Sequence, residues 1–117
     1  MHLPGELNAL DITDAARRIA VGELSPVELT AACLERIATL DAEVNAFITV
    51  MADEAVYDAR RVELEIERGE SPGPLAGVPI AIKDLFDTAG VRTTAGSKFF
   101  ADRVPDRTLR GAIWGAN

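Results

Sequence analysis

Leu75-Ala76-Gly77-Val78-Pro79-Ile80-Ala81-Ile82-Lys83-Asp84 decides how this chain is read. Val78, Ile80 and Ile82 alternate with Pro79, Ala81 and Lys83, and a period of two sets the branched aliphatics on one side of an extended segment. The pattern predicts a short buried strand over 78–82 that delivers a single lysine at its far end. The other side carries only small or ringed groups before Lys83. Another stretch of backbone can approach there and strip water from the ammonium, while Asp84 is expected to swing to the opposite face. A lone lysine at a strand end is by default a solvated charge. The small-residue face is what makes Lys83 a candidate general base. The demand on it is steep, because an unperturbed lysine titrates near about 10.4 and only roughly 1 in 2,500 is neutral at pH 7. Lowering the pKa to about 7 takes on the order of 4–5 kcal/mol of desolvation or like-charge repulsion. Lys83 can work as a base only where something covers it.

Upstream of that stretch the chain reads as helices. Ser25-Pro26-Val27-Glu28 is a capping box with proline at the first helical position, opening a helix that should run to about Leu40. Leu29, Cys33, Ile37 and Leu40 mark one apolar face and Val27, Ala31, Leu34 and Ala38 a second, the pattern of a helix packed between layers. Before it, 11–21 predicts a short helix with Thr13 as its N-cap and Gly22 as its stop. After it, 42–50 reads as a turn leading into an extended piece. A third helix is predicted over 52–68, with Ala52, Ala55, Val56, Ala59, Val62 and Ile66 inward. Glu63, Glu65, Glu67 and Arg68 face water, and Gly69 ends the helix. Glu70-Ser71-Pro72-Gly73-Pro74 is a turn-rich loop.

Downstream, Asp87-Thr88-Ala89-Gly90 fits a tight turn with glycine where positive φ is needed. Val91-Arg92-Thr93-Thr94 has strand-like composition and Ala95-Gly96-Ser97 makes another bend. Beyond Phe99 and Phe100 no clean period survives, and 107–117 carries no cap. By these residue types Asp84 and Asp87 are ordinary strand-end and turn residues.

Composition narrows the function. With 117 residues the chain amounts to one domain at most, and its formal charge of −7 argues against a nucleic-acid surface, which needs a basic patch. The lone cysteine, Cys33, permits no internal disulfide, suits a reducing cytosol, and sits on an apolar helix face as inert core. His2 is the only histidine, so neither a metal site nor a serine–histidine–aspartate triad is expected. No cofactor motif is present either: Gly90 to Lys98 fails as a phosphate loop, and no Gly-x-Gly-x-x-Gly occurs. Ser25 is explained as a helix cap; Ser71 and Ser97 lie in loops without a supported role. Signal-peptide blocks and membrane-length apolar runs are both lacking, which places the protein in the cytoplasm.

Gly77-Val78-Pro79-Ile80-Ala81-Ile82-Lys83-Asp84, followed by Gly90-Val91-Arg92-Thr93-Thr94-Ala95-Gly96-Ser97, resembles the N-terminal portion of an amidase signature enzyme. The Ser25-Pro26-Val27-Glu28-Leu29-Thr30 helix opening and Asn45-Ala46-Phe47 sit where that family has similar pieces. The resemblance covers roughly Asp11 to Pro105. It implies the N-terminal part of an α/β/α layered fold, three helices followed by the first strands of a mixed sheet. It also implies hydrolysis of small-molecule carboxylic amides by a Ser–cis-Ser–Lys triad, with Lys83 as the base and backbone N–H groups holding the oxyanion. The Gly-Gly-Ser-Ser-Gly-type segment that supplies both serines in the family does not occur up to Asn117. Arg107 to Gly115 looks like a shortened version of the family's next helix. Residues 1–117 are therefore expected to form a partial, N-terminal amidase domain, inactive alone, that needs its missing C-terminal segment or an oligomer. The A-type component of a tRNA-dependent, glutamine-using amidotransferase is an alternative within the family. A non-catalytic helical module packing on a partner, or an inactive gene remnant, is the alternative outside enzymology.

Overall fold

The computed structural model describes residues 4–108. Helix α1 spans Pro4–Leu7, α2 Ile12–Ala20, α3 Pro26–Val44 and α4 Ala52–Glu67, and Lys98–Phe100 forms one 3-10 turn. His2 and most of the patternless tail fall outside the described residues. The chain divides into two compact units, Met1–Pro79 and Ile80–Asn117.

The first unit is helical, and α2 and α3 start where a side chain can satisfy a free amide of the first turn, whereas α4 starts at Met51 without one. Asp11, not Thr13, caps α2, accepting from the Asp14 N–H at 2.7 Å. Thr13 falls inside the first turn, too late for the cap. Ser25 caps α3 as expected, with Pro26 as the first helical residue. Its oxygen accepts from the Glu28 N–H at 3.3 Å, and its own hydroxyl proton goes to Glu63 on α4. Glu63 is thus half-buried and bonded to the start of α3, which corrects its expected place on a solvated face.

Helix α3 outlasts its predicted end at Leu40, running on to Val44. Asn45 stops it in the left-handed conformation, with its N–H on the Asp41 carbonyl at 2.7 Å. Asp41 Oδ1 then takes the Ala46 and Phe47 amides at 2.7 and 3.1 Å. The two-faced packing expected of α3 holds only for its first turns. Leu29 and Ala32 are buried, whereas Ala31, Ala38 and Leu40 are exposed. Ala59 and Val62 of α4 are buried, α3 and α4 pack together, and Ala52 is exposed.

The core of this unit joins Leu7, Ala15, Ile19, Leu24, Leu29 and Ala32, with Leu10, Cys33, Ile66 and Val78 against it. Ile19 is its most enclosed side chain, at 1% exposure. Leu7 belongs to the extra turn α1, which no periodic pattern in the sequence announces. Gly77 closes the unit. A Cβ there would come within 2.8 Å of Pro26 Cβ and 3.1 Å of Ile19 Cγ2, and its φ of +86° suits only glycine. The close contact of this stretch is thus made by Gly77 against the side chains of Pro26 and Ile19, and not, as expected, by a second backbone segment over the face that carries Lys83, which is exposed.

Among the described residues there is no strand, and 78–83 is irregular. The Val78 N–H closes a turn on the Leu75 carbonyl at 3.2 Å. Val78 packs on the core, but Ile80 and Ile82 are exposed, and so are Ala81 and Lys83. The alternation is present in the residues, and the strand it predicts is not. A strand exists only in a ladder, and no second segment lies alongside this one among the described residues.

The second unit is built from turns. Thr88–Val91 is closed by the Val91 N–H on the Thr88 carbonyl at 3.0 Å, with Gly90 at φ +75°. The turn thus begins at Thr88 and not, as expected, at Asp87. The chain then doubles back: the Gly90 N–H meets the Pro105 carbonyl at 2.9 Å and the Thr93 N–H meets the Arg103 carbonyl at 3.0 Å. A second tight turn, Thr94–Ser97, places Ala95 at φ +52° and is closed at 3.0 Å. Ser97 caps the 3-10 turn, accepting from the Phe99 N–H at 3.2 Å. The buried side chains of 80–108 are Thr93, Thr94 and Pro105.

Candidate functional site

Lys83 and Asp84 leave the irregular stretch and enter a turn, which the Phe86 N–H closes on the Lys83 carbonyl at 3.0 Å. The Lys83 side chain is exposed, and among the described residues its ammonium makes no ion pair or hydrogen bond. The desolvation a lysine base requires is thus not supplied by residues 4–108.

Asp84 is the organising group. The Thr94 N–H donates to Oδ1 at 2.8 Å, the Thr94 hydroxyl donates to Oδ2, and the Gly96 N–H reaches Oδ2 at 3.2 Å. The Ala95 N–H donates to the Asp84 carbonyl at 2.9 Å. One residue thus takes up the amides of three consecutive residues in a distant turn. The Thr94 hydroxyl, then the Thr94 amide, hold the Asp84 carboxyl below the usual carboxylate range. Thr94 is buried and Asp84 half-buried, so the bond to the threonine hydroxyl is partly shielded from water.

Asp87 makes a second fastening. Arg103 Nη1 and Nη2 donate to Oδ1 and Oδ2 at 2.7 and 2.8 Å, the two-pronged geometry natural to guanidinium and carboxylate. This bond lowers the Asp87 pKa and raises that of Arg103. The Arg103 backbone meanwhile pairs with Thr93. Arg92 Nε donates to the Ala101 carbonyl within the same loop. Residues 84–87 are therefore tied at both ends to 94–103, and the lysine stands at the head of the tied segment.

Sequence reasoning singles out Lys83 and passes over both aspartates. The available signal is the cluster of amide donors in Thr94-Ala95-Gly96, which calls for an acceptor. Nothing in the spacing says that the acceptor is Asp84. Cys33 packs on the core with its thiol pKa raised by burial, and Ser25 and Ser97 are caps. No group of histidine, cysteine or carboxylate side chains among the described residues could hold a metal ion. No helix among them is long and apolar enough to cross a membrane.

Asp84 joins the lysine-bearing stretch to the Thr93-Thr94-Ala95-Gly96-Ser97 turn, the two pieces whose residues resemble an amidase signature enzyme. The Amidase family matches residues 28–108, and the chain belongs to that family. Among its relatives is the glutamyl-tRNA(Gln) amidotransferase A-type component of Streptomyces coelicolor. That protein is 47% identical over 96 residues, which is 82% of this chain and 19% of the relative. Its namesake from Carboxydothermus hydrogenoformans is 42% identical over 100 residues, 86% of this chain and 21% of its own length. A solved structure described as an unexpected vestigial protein complex, revealing the evolutionary origins of an s-triazine catabolic enzyme, superposes with a TM-score of 0.79. It is 34% identical, over 85% of this chain and 22% of that one. The chain spans about a fifth of the length of the curated relatives it matches.

Proposed function

We propose that this chain supplies the lysine-bearing N-terminal part of an amidohydrolase, with Lys83 as the base of a Ser–cis-Ser–Lys triad. The observation that carries the reading is that the two motif pieces, 77–84 and 90–97, meet through Asp84 inside the region matched to the family. In this reading Lys83, neutral once covered, accepts a proton from a bridging serine, which in turn takes the proton of a nucleophilic serine. The nucleophile's oxygen bonds to the amide carbon, the C–N bond breaks, and ammonia or an amine leaves with a proton. Water then cleaves the acyl-enzyme to the acid. Both serines and the oxyanion donors come from polypeptide outside residues 4–108. Segment 78–83, irregular here, becomes a strand of the mixed sheet when that polypeptide lies beside it. We read the protein as cytoplasmic, on its acidic charge and single cysteine.

The names of the relatives favour a more specific reading, the A-type component of an amidotransferase acting on glutamyl-tRNA. A chimera tests both. Residues 28–108 replace the matching segment of the Streptomyces coelicolor protein, and ammonia release from glutamine is measured within its complex. The chimera should be active and Lys83→Ala should lower its rate about 10²–10⁴-fold. A Lys83→Ala chimera as fast as its parent would end the assignment.

A further inference from the structure

The segment that carries the lysine is held without an apolar interior. Among the described residues of 80–108 the buried side chains are two threonines and a proline, whereas Ile80, Ile82, Leu85, Phe86, Phe99 and Val104 are exposed. Its order has to come from directed bonds. Two carboxylates supply them, each spanning a long loop: Asp84 to Thr94 and Gly96, and Asp87 to Arg103. Hydrogen bonds to an ionised acceptor are the stronger kind, and the Asp84 set is both multiple and partly shielded. The peptide between them is a closed turn with Lys83 at its head.

We infer that Asp84 is a positioning residue for Lys83, and that Asp87 is its second anchor, the two carboxylates fixing the lysine's point of departure before the rest of a site is assembled around it. The inference rests on the amidase reading for its purpose, but the clasp itself does not. A flexible lysine arm would have to be ordered in each encounter with its hydroxyl partner, and misplacement by about 1 Å costs on the order of 10²-fold in rate. The clasp removes that cost in advance. Thr94 and Gly96 together give the Asp84 carboxylate three donors, so its charge is compensated without the lysine.

The test has two arms. In the full 117-residue chain, labelled with ¹⁵N, the Thr94 and Gly96 amide signals should titrate together, with a midpoint below that of an ordinary aspartate. Asp84→Asn should abolish that titration, speed exchange of both amides at least about tenfold and loosen the Lys83 backbone on the nanosecond scale, with the helices unchanged. Thr94→Val should do the same in part and Thr94→Ser should restore it. These two variants keep the test alive if Asp84→Asn fails to fold. In the chimera, Asp84→Asn should reduce kcat on the order of 10²-fold with KM within about twofold. A Lys83 backbone that stays equally rigid in Asp84→Asn and Thr94→Val overturns the inference. So does a chimera whose kcat ignores Asp84 while Lys83→Ala abolishes it. Activity that survives Lys83→Ala instead removes the amidase reading and leaves the clasp standing on the exchange data.

Discussion

At Gly77 two separate requirements fall on one residue, and they can be told apart. The left-handed φ alone costs a side-chain-bearing residue about 1–2 kcal/mol. The crowding against Pro26 and Ile19 adds an overpacking penalty of about 1–3 kcal/mol. Gly90 shares the positive φ but has open space where a Cβ would go. Gly77→Ala should therefore lower the urea midpoint clearly more than Gly90→Ala, and equal effects would show that Gly77 is not close-packed. The aspartates make a pH prediction. Asp84 and Asp87 have folded pKa values below the unfolded value of about 3.9. As pH falls toward that unfolded value, the denatured chain takes up protons before the folded one does, so stability falls with it. Their contribution should be constant from about pH 7 down to about 5. It should then be lost as acid carries each group through its lower folded pKa, first seen as faster exchange at Thr94 and Gly96. Ser25 can be picked out from sequence because the chemistry that singles it out lies within one turn. Asp84 cannot, since its partners follow after a gap with no period.

Among the elements, α3 shows how a boundary can be clear at one end and hidden at the other. Ser25-Pro26 announces the start through side chains that act within one turn. The final turn, past Leu40, buries nothing, so hydrophobic spacing fades before the helix does, and its stop depends on Asp41 and Asn45. Ser25 also joins two helices through Glu63. Ser25→Ala should cost about 1–2 kcal/mol, more than an isolated cap, because Glu63 loses its donor as well. Paired with Glu63→Ala, the two losses should fall short of additive by about 0.5 kcal/mol or more in a double-mutant cycle; strict additivity would remove the bond. The strand over 78–82 is the element that sequence could not deliver. Alternation reports which way side chains point, not whether a neighbour is there to pair with.

For the molecule as a whole, α2, α3 and α4 are legible because each carries its own period, whereas α1 has none. The turn unit is not legible either, because its order lies in long-span polar bonds. Its exposed aliphatic and aromatic side chains, among them Phe99 at 88% and Ile80 at 62% exposure, are poorly matched to water. The isolated chain should bind a hydrophobic dye and associate as concentration rises, read by light scattering after size exclusion. A strictly monomeric, dye-silent chain would mean that this surface needs no cover. The boundary at Pro79 also bears on biosynthesis. Every residue of the helical core precedes it, so the leading piece can finish folding while the lysine-bearing loop is still inside the ribosome. Short-range contacts favour such quick, vectorial completion. The nascent protein would then hold a settled helical unit before its least self-sufficient portion emerges.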